Sequence, residues 1–485
     1  MYLNNLLENI SIIHSIGRFD IDIVDIQFDS RKVIQGGLFI CINGDKVDGH
    51  KYIQQSINNG AKAILLESIP EEFCNNITYV QVKDTRCALS IIASNFYNHP
   101  SKRIQLIGVT GTNGKTTIVS LLHQACILLN KKAGLISTIQ NKIVNEIIPA
   151  THTTPDSLEI NYLLNRMILK GCKYCFMEVS SHAIAQSRIK NLHFFGGVFT
   201  NITQDHLDYH KTFDEYINVK KSFFDSLGKS SFSLVNKDDK NYSKMIENTK
   251  SFKLTYSLKS FSDYKCKIIE SHIDSTLLSI NKTNIWVKLI GEFNAYNILA
   301  VYAIADQLGF ADDNFLTSLG SLQSPEGRFE YINSNNIIGI VDYAHTHDAL
   351  ENVLSTINHM SNRINNIITV IGCGGERDIS KRPLMARVAC NLSSKVIFTS
   401  DNPRSENPDK IIQDMTEGLD ASQRNKILIV VDRKEAIRKA CEIANSDDVV
   451  LIAGKGHEKY QEINGIRNPF NDLEELKESF NIKQK

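Results

Sequence analysis

The glycine-rich stretch GVTGTNGKTT at residues 108–117 constrains the fold more than any other feature of this chain. An apolar segment at residues 103–109 predicts a strand before it, and Ile118, Leu121, Leu122 and Ala125 recur at helical spacing after it. A glycine turn between a strand and a helix directs backbone N–H groups at phosphate oxygens. The spacing departs from the general P-loop because Val109, and not a glycine, stands five positions before Gly114. We therefore predict a phosphate-binding loop in which Lys115 meets the outer phosphates and the Thr116 hydroxyl meets magnesium.

The length of 485 residues predicts several domains, because one hydrophobic core rarely serves so long a chain. Residues 1–100 alternate short apolar strands, such as IDIVDIQF and TYVQV, with helical segments, which is typical of a small α/β domain. Residues 101–324 begin at the phosphate loop and end near a helix in NAYNILAVYAIADQLG. These breaks predict an N-terminal, a central and a C-terminal domain, the last at residues 325–485.

The C-terminal segment pairs four apolar strands with polar loops, and the first three loops run on into helices. This pattern predicts a parallel, doubly wound sheet whose loops emerge at the carboxyl ends of the strands, where open α/β sheets bind ligands. The loops GCGGERD, SDNPR and GKGHE are therefore expected to share one rim.

Charge and hydropathy argue against two classes of partner. Lys plus Arg and Asp plus Glu both number 54, so no excess of positive charge favours nucleic acid. No apolar run approaches the length of a membrane span, and the first residues lack a basic leader with an apolar core. We therefore expect a cytoplasmic protein without nucleic-acid binding or membrane insertion.

Several polar residues admit two interpretations. Glu178 follows a strand and His206 lies in TNITQDHLDYH, so either side chain is a candidate magnesium ligand or an ordinary loop residue. The string HTTPD at residues 152–156 offers two hydroxyls, yet the N-cap of the next helix explains it better. Asp29-Ser30-Arg31 is explained by a simple turn, and Lys220 beside Lys221 indicates a solvated helical face.

Taken in order, the motifs resemble the Mur ligase family over nearly the whole chain. The resemblance rests on DSRKVIQGGLFICINGDKVDGHKYI, GVTGTNGKTT, HTTPD, MEVSSHAIAQSR, FTNITQDHLDYH, YINVK, GEFNAYN, EGRFE, VDYAH, GCGGERDISKRPLM, SDNPR and AGKGHE. It implies an α/β protein of three domains: a small N-terminal UDP-sugar domain, a central P-loop ATPase-like domain with a parallel sheet, and a C-terminal Rossmann-like, doubly wound domain for the amino acid.

The resemblance also implies an ATP-dependent acid–amino-acid ligase of peptidoglycan precursor synthesis, and hence of cell-wall biogenesis, cell shape and division. Its expected partners are UDP-N-acetylmuramoyl-L-alanyl-D-glutamate and meso-diaminopimelate, its cofactors ATP and Mg²⁺, and its state a monomer. Three alternatives stay open: the same reaction with another diamino acid such as L-lysine, a folylpolyglutamate synthase-like ligase, and a P-loop ATPase that drives a partner.

The same resemblance assigns one set of residues to catalysis and one set to each substrate. Catalysis is assigned to Lys115, Glu178, His206 and Lys220, with Lys220 as a carbamate (N6-carboxylysine) that joins Thr116, Glu178 and His206 around magnesium. ATP is assigned to Gly111, Thr112, Asn113, Gly114, Lys115, Thr116, Asn294, Asn297, Arg328 and Asp342. The UDP-sugar dipeptide is assigned to Ser30, Thr153, Thr154, Ser180, Gln186 and Arg188, and diaminopimelate to Arg377, Asp401, Asn402, Pro403, Arg404, Gly454 and Glu458.

Arg404 stands between two prolines in SDNPRSENP. Diaminopimelate differs from lysine by a second carboxylate, and guanidinium pairs with carboxylate through a two-pronged hydrogen bond. Arg404 is therefore predicted to select diaminopimelate. The chain departs from the family pattern at His347, where DYAHTPDAL is common, and at Asn471, where Phe-Asp-Asp is common; both departures put the local loop shape in question.

Overall fold

The computed structural model describes residues 1–44, 47–272, 274–360 and 364–480. Its first sheet has the order β1-β5-β4-β3-β2, in which β1 alone is antiparallel to its neighbour. Helix α3 covers this sheet and is capped by Asp84, whose side chain accepts a hydrogen bond from the amide of Cys87. The elements are α1 (Leu3–Leu6), β1 (Ile12–Ile16), β2 (Ile26–Gln27), β3 (Gly37–Ile40), α2 (Ile53–Asn58), β4 (Ala61–Leu66), β5 (Thr78–Val82) and α3 (Thr85–Phe96).

The central sheet has eleven strands in the order β16-β15-β14-β13-β12-β11-β6-β10-β7-β8-β9. Its strands are β6 (Gln105–Thr110), β7 (Ala133–Ile136), β8 (Gln140–Ile143), β9 (Glu146–Pro149), β10 (Tyr174–Glu178), β11 (Gly196–Phe199), β12 (Phe232–Asn236), β13 (Phe252–Ser257), β14 (Tyr264–Ser271), β15 (Thr276–Ile280) and β16 (Thr283–Val287). The strands from β7 to β14 in this order pair in parallel, and the strands beyond them at either edge are antiparallel.

Helices cover both faces of the central sheet. One hydrophobic cluster joins α4 and α10 to the strands, and a second cluster joins α5 and α8 to the opposite face. The helices are α4 (Lys115–Leu128), α5 (Ser157–Leu169), α6 (Ser181–Ala185), α7 (Leu207–His210), α8 (Phe213–Asp225), α9 (Tyr242–Met245), α10 (Glu292–Gln307) and α11 (Asp313–Leu319). The central strand β6 thus delivers the glycine loop to its carboxyl end, with β10 and β11 on either side.

The third sheet has the order β17-β18-β22-β19-β20-β21, and only β17 is antiparallel. This parallel sheet confirms the doubly wound arrangement that the strand–loop–helix pattern predicted. Its elements are β17 (Glu330–Ser334), β18 (Ile337–Asp342), α12 (His347–His359), β19 (Ile367–Ile371), α13 (Lys381–Leu392), β20 (Lys395–Phe398), α14 (Pro408–Thr416), α15 (Ala421–Arg424), β21 (Ile427–Ile429), α16 (Arg433–Ile443), β22 (Val449–Ala453), β23 (Tyr460–Ile463), β24 (Ile466–Pro469) and α17 (Asp472–Ser479).

Two local predictions were wrong. The segment IDIVDIQF contributes only Ile26–Gln27 to the sheet, because the backbone of Ile21 and Ile23 pairs with the chain start instead. Lys220 and Lys221 do not lie on a solvated face, since their residues are only 1% and 8% exposed. Within the part of the chain that the structure describes, no helix combines the length and apolar character needed to cross a bilayer.

Candidate active site

The glycine loop is shaped by backbone that only glycine adopts easily. Gly111 and Gly114 have φ angles of 149° and 91°, and a Cβ on Gly114 would lie 2.7 Å from the Asn297 amide oxygen. The ammonium group of Lys115 donates hydrogen bonds to the carbonyls of Gly111 at 2.9 Å and Thr112 at 2.8 Å. Burial lowers the pKa of Lys115. The loop therefore holds the Lys115 amino group against its own backbone carbonyls.

A second buried lysine meets the same loop. Lys220, from α8, donates to the Gly111 carbonyl at 3.0 Å, so both ammonium groups share one acceptor. Its Nζ also lies 4.8 Å from the centre of the Tyr216 ring. Burial lowers the pKa of Lys220 well below its usual value, and the charge of Lys115 lowers it further. This environment favours an uncharged amine at position 220.

A network of hydroxyls and amides surrounds Glu178 at the end of β10. The carboxylate accepts hydrogen bonds from the Thr138 amide at 2.8 Å and the Thr138 hydroxyl at 3.2 Å. The Thr154 hydroxyl donates to the Glu178 carbonyl at 2.7 Å and accepts from the Ser180 amide at 3.0 Å. Thr153 joins through a hydroxyl contact with Thr138 at 3.1 Å. These hydrogen bonds fix the side chain of Glu178, which is fully buried.

The predicted UDP-sugar residues divide between this network and the first domain. Arg188 donates to the Thr154 carbonyl at 2.7 Å and to the Gln186 amide oxygen at 2.6 Å, which ties both residues to the network. Ser30 lies apart on a short 3₁₀ turn, where its hydroxyl donates to Gln55 at 2.8 Å. Asp156 is the N-cap of α5, so the cap interpretation of HTTPD holds for that residue while Thr154 faces the network.

His206 lies at the junction of the central and C-terminal domains. Its Nε2 is 3.3 Å from the Asp205 carboxylate, and Nε2 of His345 approaches the same carboxylate at 3.9 Å. Burial lowers the pKa of His206 and of His345, so both rings are neutral near pH 7. A neutral imidazole is the form that binds a metal ion.

The C-terminal domain reaches onto the phosphate loop at two points. A guanidinium nitrogen of Arg328 donates to the Thr116 hydroxyl at 3.1 Å, and the Asn113 side chain donates to Asp348 at 2.9 Å. A cavity of about 710 Å³ opens between the domains. Its lining includes the predicted nucleotide residues Asn113, Gly114, Asn294, Asn297, Arg328 and Asp342. The fold therefore gathers residues that are distant in sequence around one cavity beside the loop.

The predicted amino-acid rim is one hydrogen-bonded unit. The Asn402 amide donates to Glu458 at 2.7 Å, and its oxygen accepts from Lys455 at 2.9 Å and from the Glu462 amide at 2.9 Å. Lys455 also contacts Glu458 at 3.0 Å and Asp401 at 3.5 Å. A Cβ on Gly454 would lie 3.0 Å from the Asp401 carboxylate. The loops after β20 and β22 therefore meet on one rim, as the strand pattern predicted.

Arg404 is held in place by its own backbone. It has a φ of 53°, its amide donates to the Glu462 carbonyl at 3.1 Å, and its carbonyl accepts from the Asn464 amide at 2.7 Å. One guanidinium nitrogen donates to the Gly375 carbonyl at 2.6 Å. Pro403 is buried beside the Gly375 backbone, and Arg377, on that glycine's loop, is exposed. The Arg404 side chain is thus aimed from a fixed turn.

Both departures from the family pattern lie at helix starts. His347 is the first residue of α12, and the preceding Thr346 caps the helix by accepting from the Ala349 amide. Asn471 caps α17 by accepting from the amides of Leu473 at 2.9 Å and Glu474 at 3.3 Å. Asparagine and aspartate cap helices about equally well. Neither helix start is therefore disrupted.

Sequence reasoning missed three residues of this region. Thr138 holds Glu178, Asp348 holds Asn113, and Lys455 is fully buried under the amino-acid rim. Signals existed for each: Thr138 follows a strand end, and the other two lie inside DYAHTHDAL and GKGHE. None of the three could be assigned a contact before the loops were placed in space.

Three family models match the chain: the Mur ligase family, catalytic domain, at residues 22–97, the Mur ligase middle domain at residues 109–305, and the Mur ligase, glutamate ligase domain at residues 327–456. A protein of Cytophaga hutchinsonii is 50% identical over 480 residues, which cover 99% of each chain. This chain belongs to the Mur ligase family. That relative is named UDP-N-acetylmuramoyl-L-alanyl-D-glutamate--2,6-diaminopimelate ligase, as is a Bacteroides thetaiotaomicron protein that is 51% identical over 482 residues, covering 99% of this chain and 100% of its own.

Solved structures agree with these sequence relatives. A structure of a ligase with the same name has a TM-score of 0.68 and 31% identity, and covers 99% of both chains. A folylpolyglutamate synthase of Mycobacterium tuberculosis, complexed with ADP and AMPPCP, has a TM-score of 0.62 and 14% identity. The match covers 76% of this chain and 92% of that one, and at such identity it concerns the fold alone.

Proposed function

We propose that this chain is an ATP-dependent ligase that joins meso-diaminopimelate to the side-chain carboxylate of D-glutamate in UDP-N-acetylmuramoyl-L-alanyl-D-glutamate. The relatives that share about half of its residues over nearly their whole length carry the name of that reaction. The observation that carries the proposal is a pair of hydrogen bonds across the two domains: Arg328 donates to the Thr116 hydroxyl, and Asp348 accepts from the Asn113 side chain. They bring the domain that carries the proposed amino-acid rim against the phosphate loop.

The chemistry proceeds in two steps. A carboxylate oxygen of the D-glutamyl residue attacks the γ-phosphorus of ATP and ADP leaves, which gives an acyl phosphate. An amine of diaminopimelate then attacks the acyl carbon, phosphate leaves, and the nitrogen loses a proton. Both first-step reactants are anionic, so Lys115 and the loop amides lower the barrier by offsetting their repulsion. The domains share these tasks: residues 1–100 for the UDP-sugar, 101–324 for ATP and 325–485 for the amino acid.

The proposed magnesium ion would lie beside the phosphate loop. Within the described ranges, no three His, Cys, Asp or Glu side chains gather closely enough to hold a metal by themselves. An ion there would therefore depend on the Thr116 hydroxyl, Glu178, His206 and phosphate oxygens. Bound magnesium would neutralise charge on the phosphates.

Lys220 is proposed to supply a further oxygen ligand as a carbamate. Its fully buried amine shares the Gly111 carbonyl with Lys115, so two cations would crowd one acceptor. Addition of CO₂ to the neutral amine, with release of one N–H proton to solvent, would turn Lys220 into an anion that could pair with Lys115 and with magnesium. In CO₂-free buffer the wild-type rate should fall, and bicarbonate should restore it with a carbamate signal from labelled bicarbonate; a rate indifferent to bicarbonate contradicts this role.

One assay tests the ligase proposal against its rivals. Phosphate release from ATP is measured with the UDP-sugar dipeptide while meso-diaminopimelate, L-lysine or glutamate is added in turn. Release that depends on diaminopimelate is expected, and faster release with lysine would change the assigned amino acid. Release with a folate and glutamate, or release indifferent to any amino acid, would contradict the ligase assignment. We also propose a monomer, since the residues assigned to all three substrates lie on one chain, and a cytoplasmic location.

A further inference from the structure

A fully buried ammonium group lies beneath the rim proposed to bind diaminopimelate. Lys455 follows the end of β22, and its side chain is 0% exposed. Its Nζ donates to the Asn402 amide oxygen at 2.9 Å and to Glu458 at 3.0 Å, and it lies 3.5 Å from Asp401. Three residues of the rim thus converge on one cation.

The charges of this group leave an imbalance. Asp401 and Glu458 contribute two negative charges against one positive charge on Lys455, so the unit carries one net negative charge (1 − 2 = −1). The side chains of Asp401 and Glu458 are only 9% and 19% exposed, so water screens them weakly. Oδ1 of Asp401 faces Lys455 at 3.5 Å, and it accepts no hydrogen bond from the described residues. The inner layer of the rim therefore suits one ammonium group, while Arg377 and Arg404 lie on the neighbouring loops.

Lys455 also fixes the direction of the polar side chains. The Asn402 oxygen accepts from both Lys455 and the Glu462 amide, which leaves the Asn402 nitrogen facing Glu458. Without the ammonium group, Asp401 and Glu458 would face each other uncompensated, and buried like charges repel strongly. Glu458 would then turn toward solvent.

We propose that Lys455 is a positioning residue for diaminopimelate: it holds Glu458 and Asn402 in the orientation that receives an ammonium group of the amino acid. This role rests on the proposed ligase function. Lys455 makes no contact with the phosphate loop in any described hydrogen bond or ion pair, so we expect its replacement to leave ATP binding nearly unchanged.

The test compares Lys455→Met with Lys459→Met as a control. The side chain of Lys459 is 64% exposed, and its ammonium group pairs with Glu326 at 2.9 Å. Lys455→Met should raise the KM for meso-diaminopimelate about 10- to 100-fold, the scale of one hydrogen bond to a charged group, while the KM values for ATP and the UDP-sugar dipeptide stay within about twofold. Lys459→Met should leave all three unchanged. Equal increases in all three KM values, or an unchanged KM for diaminopimelate, would overturn the positioning role.

A double variant separates positioning from a merely structural effect. If Lys455 acts through Glu458, Lys455→Met should add little to the KM increase of Glu458→Gln, whereas fully additive effects would refute the mechanism. Should Lys455→Met fail to fold, Lys455→Gln keeps a polar group without the charge, and a wild-type KM in that variant overturns the proposal. Failure of the ligase function itself would instead appear in the wild type, as phosphate release that ignores diaminopimelate.

Discussion

Replacing Arg404 by alanine tests how the chain selects its amino acid. The guanidinium is aimed before any ligand binds, because one nitrogen donates to the Gly375 carbonyl at 2.6 Å and the backbone pairs with the β23 hairpin. The φ of 53° strains arginine and alanine equally, since both carry a Cβ. The substitution therefore removes the guanidinium and its hydrogen bond to Gly375, and it leaves the backbone strain of the turn nearly unchanged.

The expected loss follows from the contacts that the guanidinium can form. A carboxylate held by two N–H groups gains about 1.5–3 kcal/mol for each hydrogen bond to a charged group. Arg404 is half-buried, so solvent screening places the sum near the lower limit, at about 3 kcal/mol. At 1.4 kcal/mol per factor of ten, kcat/KM for meso-diaminopimelate should fall about 100-fold. L-lysine lacks the second carboxylate, so its kcat/KM should change little, and the preference between the two amino acids should shrink.

Steady-state phosphate release with each amino acid measures this change. Arg438→Ala serves as the control, because Arg438 is 47% exposed on α16 and pairs only with Glu435 among its described ion pairs. The KM for ATP should stay near the wild-type value in both variants. Equal losses with diaminopimelate and lysine, or a parallel rise in the KM for ATP, would refute the selection role of Arg404.

Three further changes probe the scaffold. Burial gives Lys220 a lower pKa in the folded protein than in the unfolded chain, so the unfolded state binds more protons between these values and the free energy of unfolding rises with pH. In CO₂-free buffer, Lys220→Met should therefore be inactive. Urea titrations should show it about 1–2 kcal/mol more stable than wild type at pH 7. This difference in unfolding free energy should shrink toward pH 10. Gly111→Ala would drive a Cβ into the Thr200 hydroxyl and should raise the KM for ATP about tenfold; an unchanged KM contradicts the loop geometry. Arg433→Met breaks a fully buried pair with Asp472 at 2.7 Å and should cost about 3–5 kcal/mol of unfolding free energy, whereas a loss below 1 kcal/mol would contradict that estimate.

Periodicity predicted the elements that depend on local pattern. The strands and helices around residues 108–125 and the strand–loop units of the C-terminal domain lie where the apolar spacing placed them. The prediction of a strand over all of IDIVDIQF was wrong, because its edge position leaves the backbone free to pair with the chain start. The prediction for Lys220 was wrong for another reason. Two adjacent lysines usually indicate a solvated helical face, but here the glycine loop packs against that helix.

The sequence by itself determined where the glycine and polar loops lie, because a strand followed by such a turn places the turn at a known edge of a parallel sheet. The order of the motifs was also enough to indicate the family. Only the tertiary structure decided which charges meet. Lys115 and Lys220 share one carbonyl, and Lys455 gathers Asp401 and Glu458, across separations of up to about a hundred residues. Burial and charge pairing depend on how separate elements pack, and local sequence does not encode those distances.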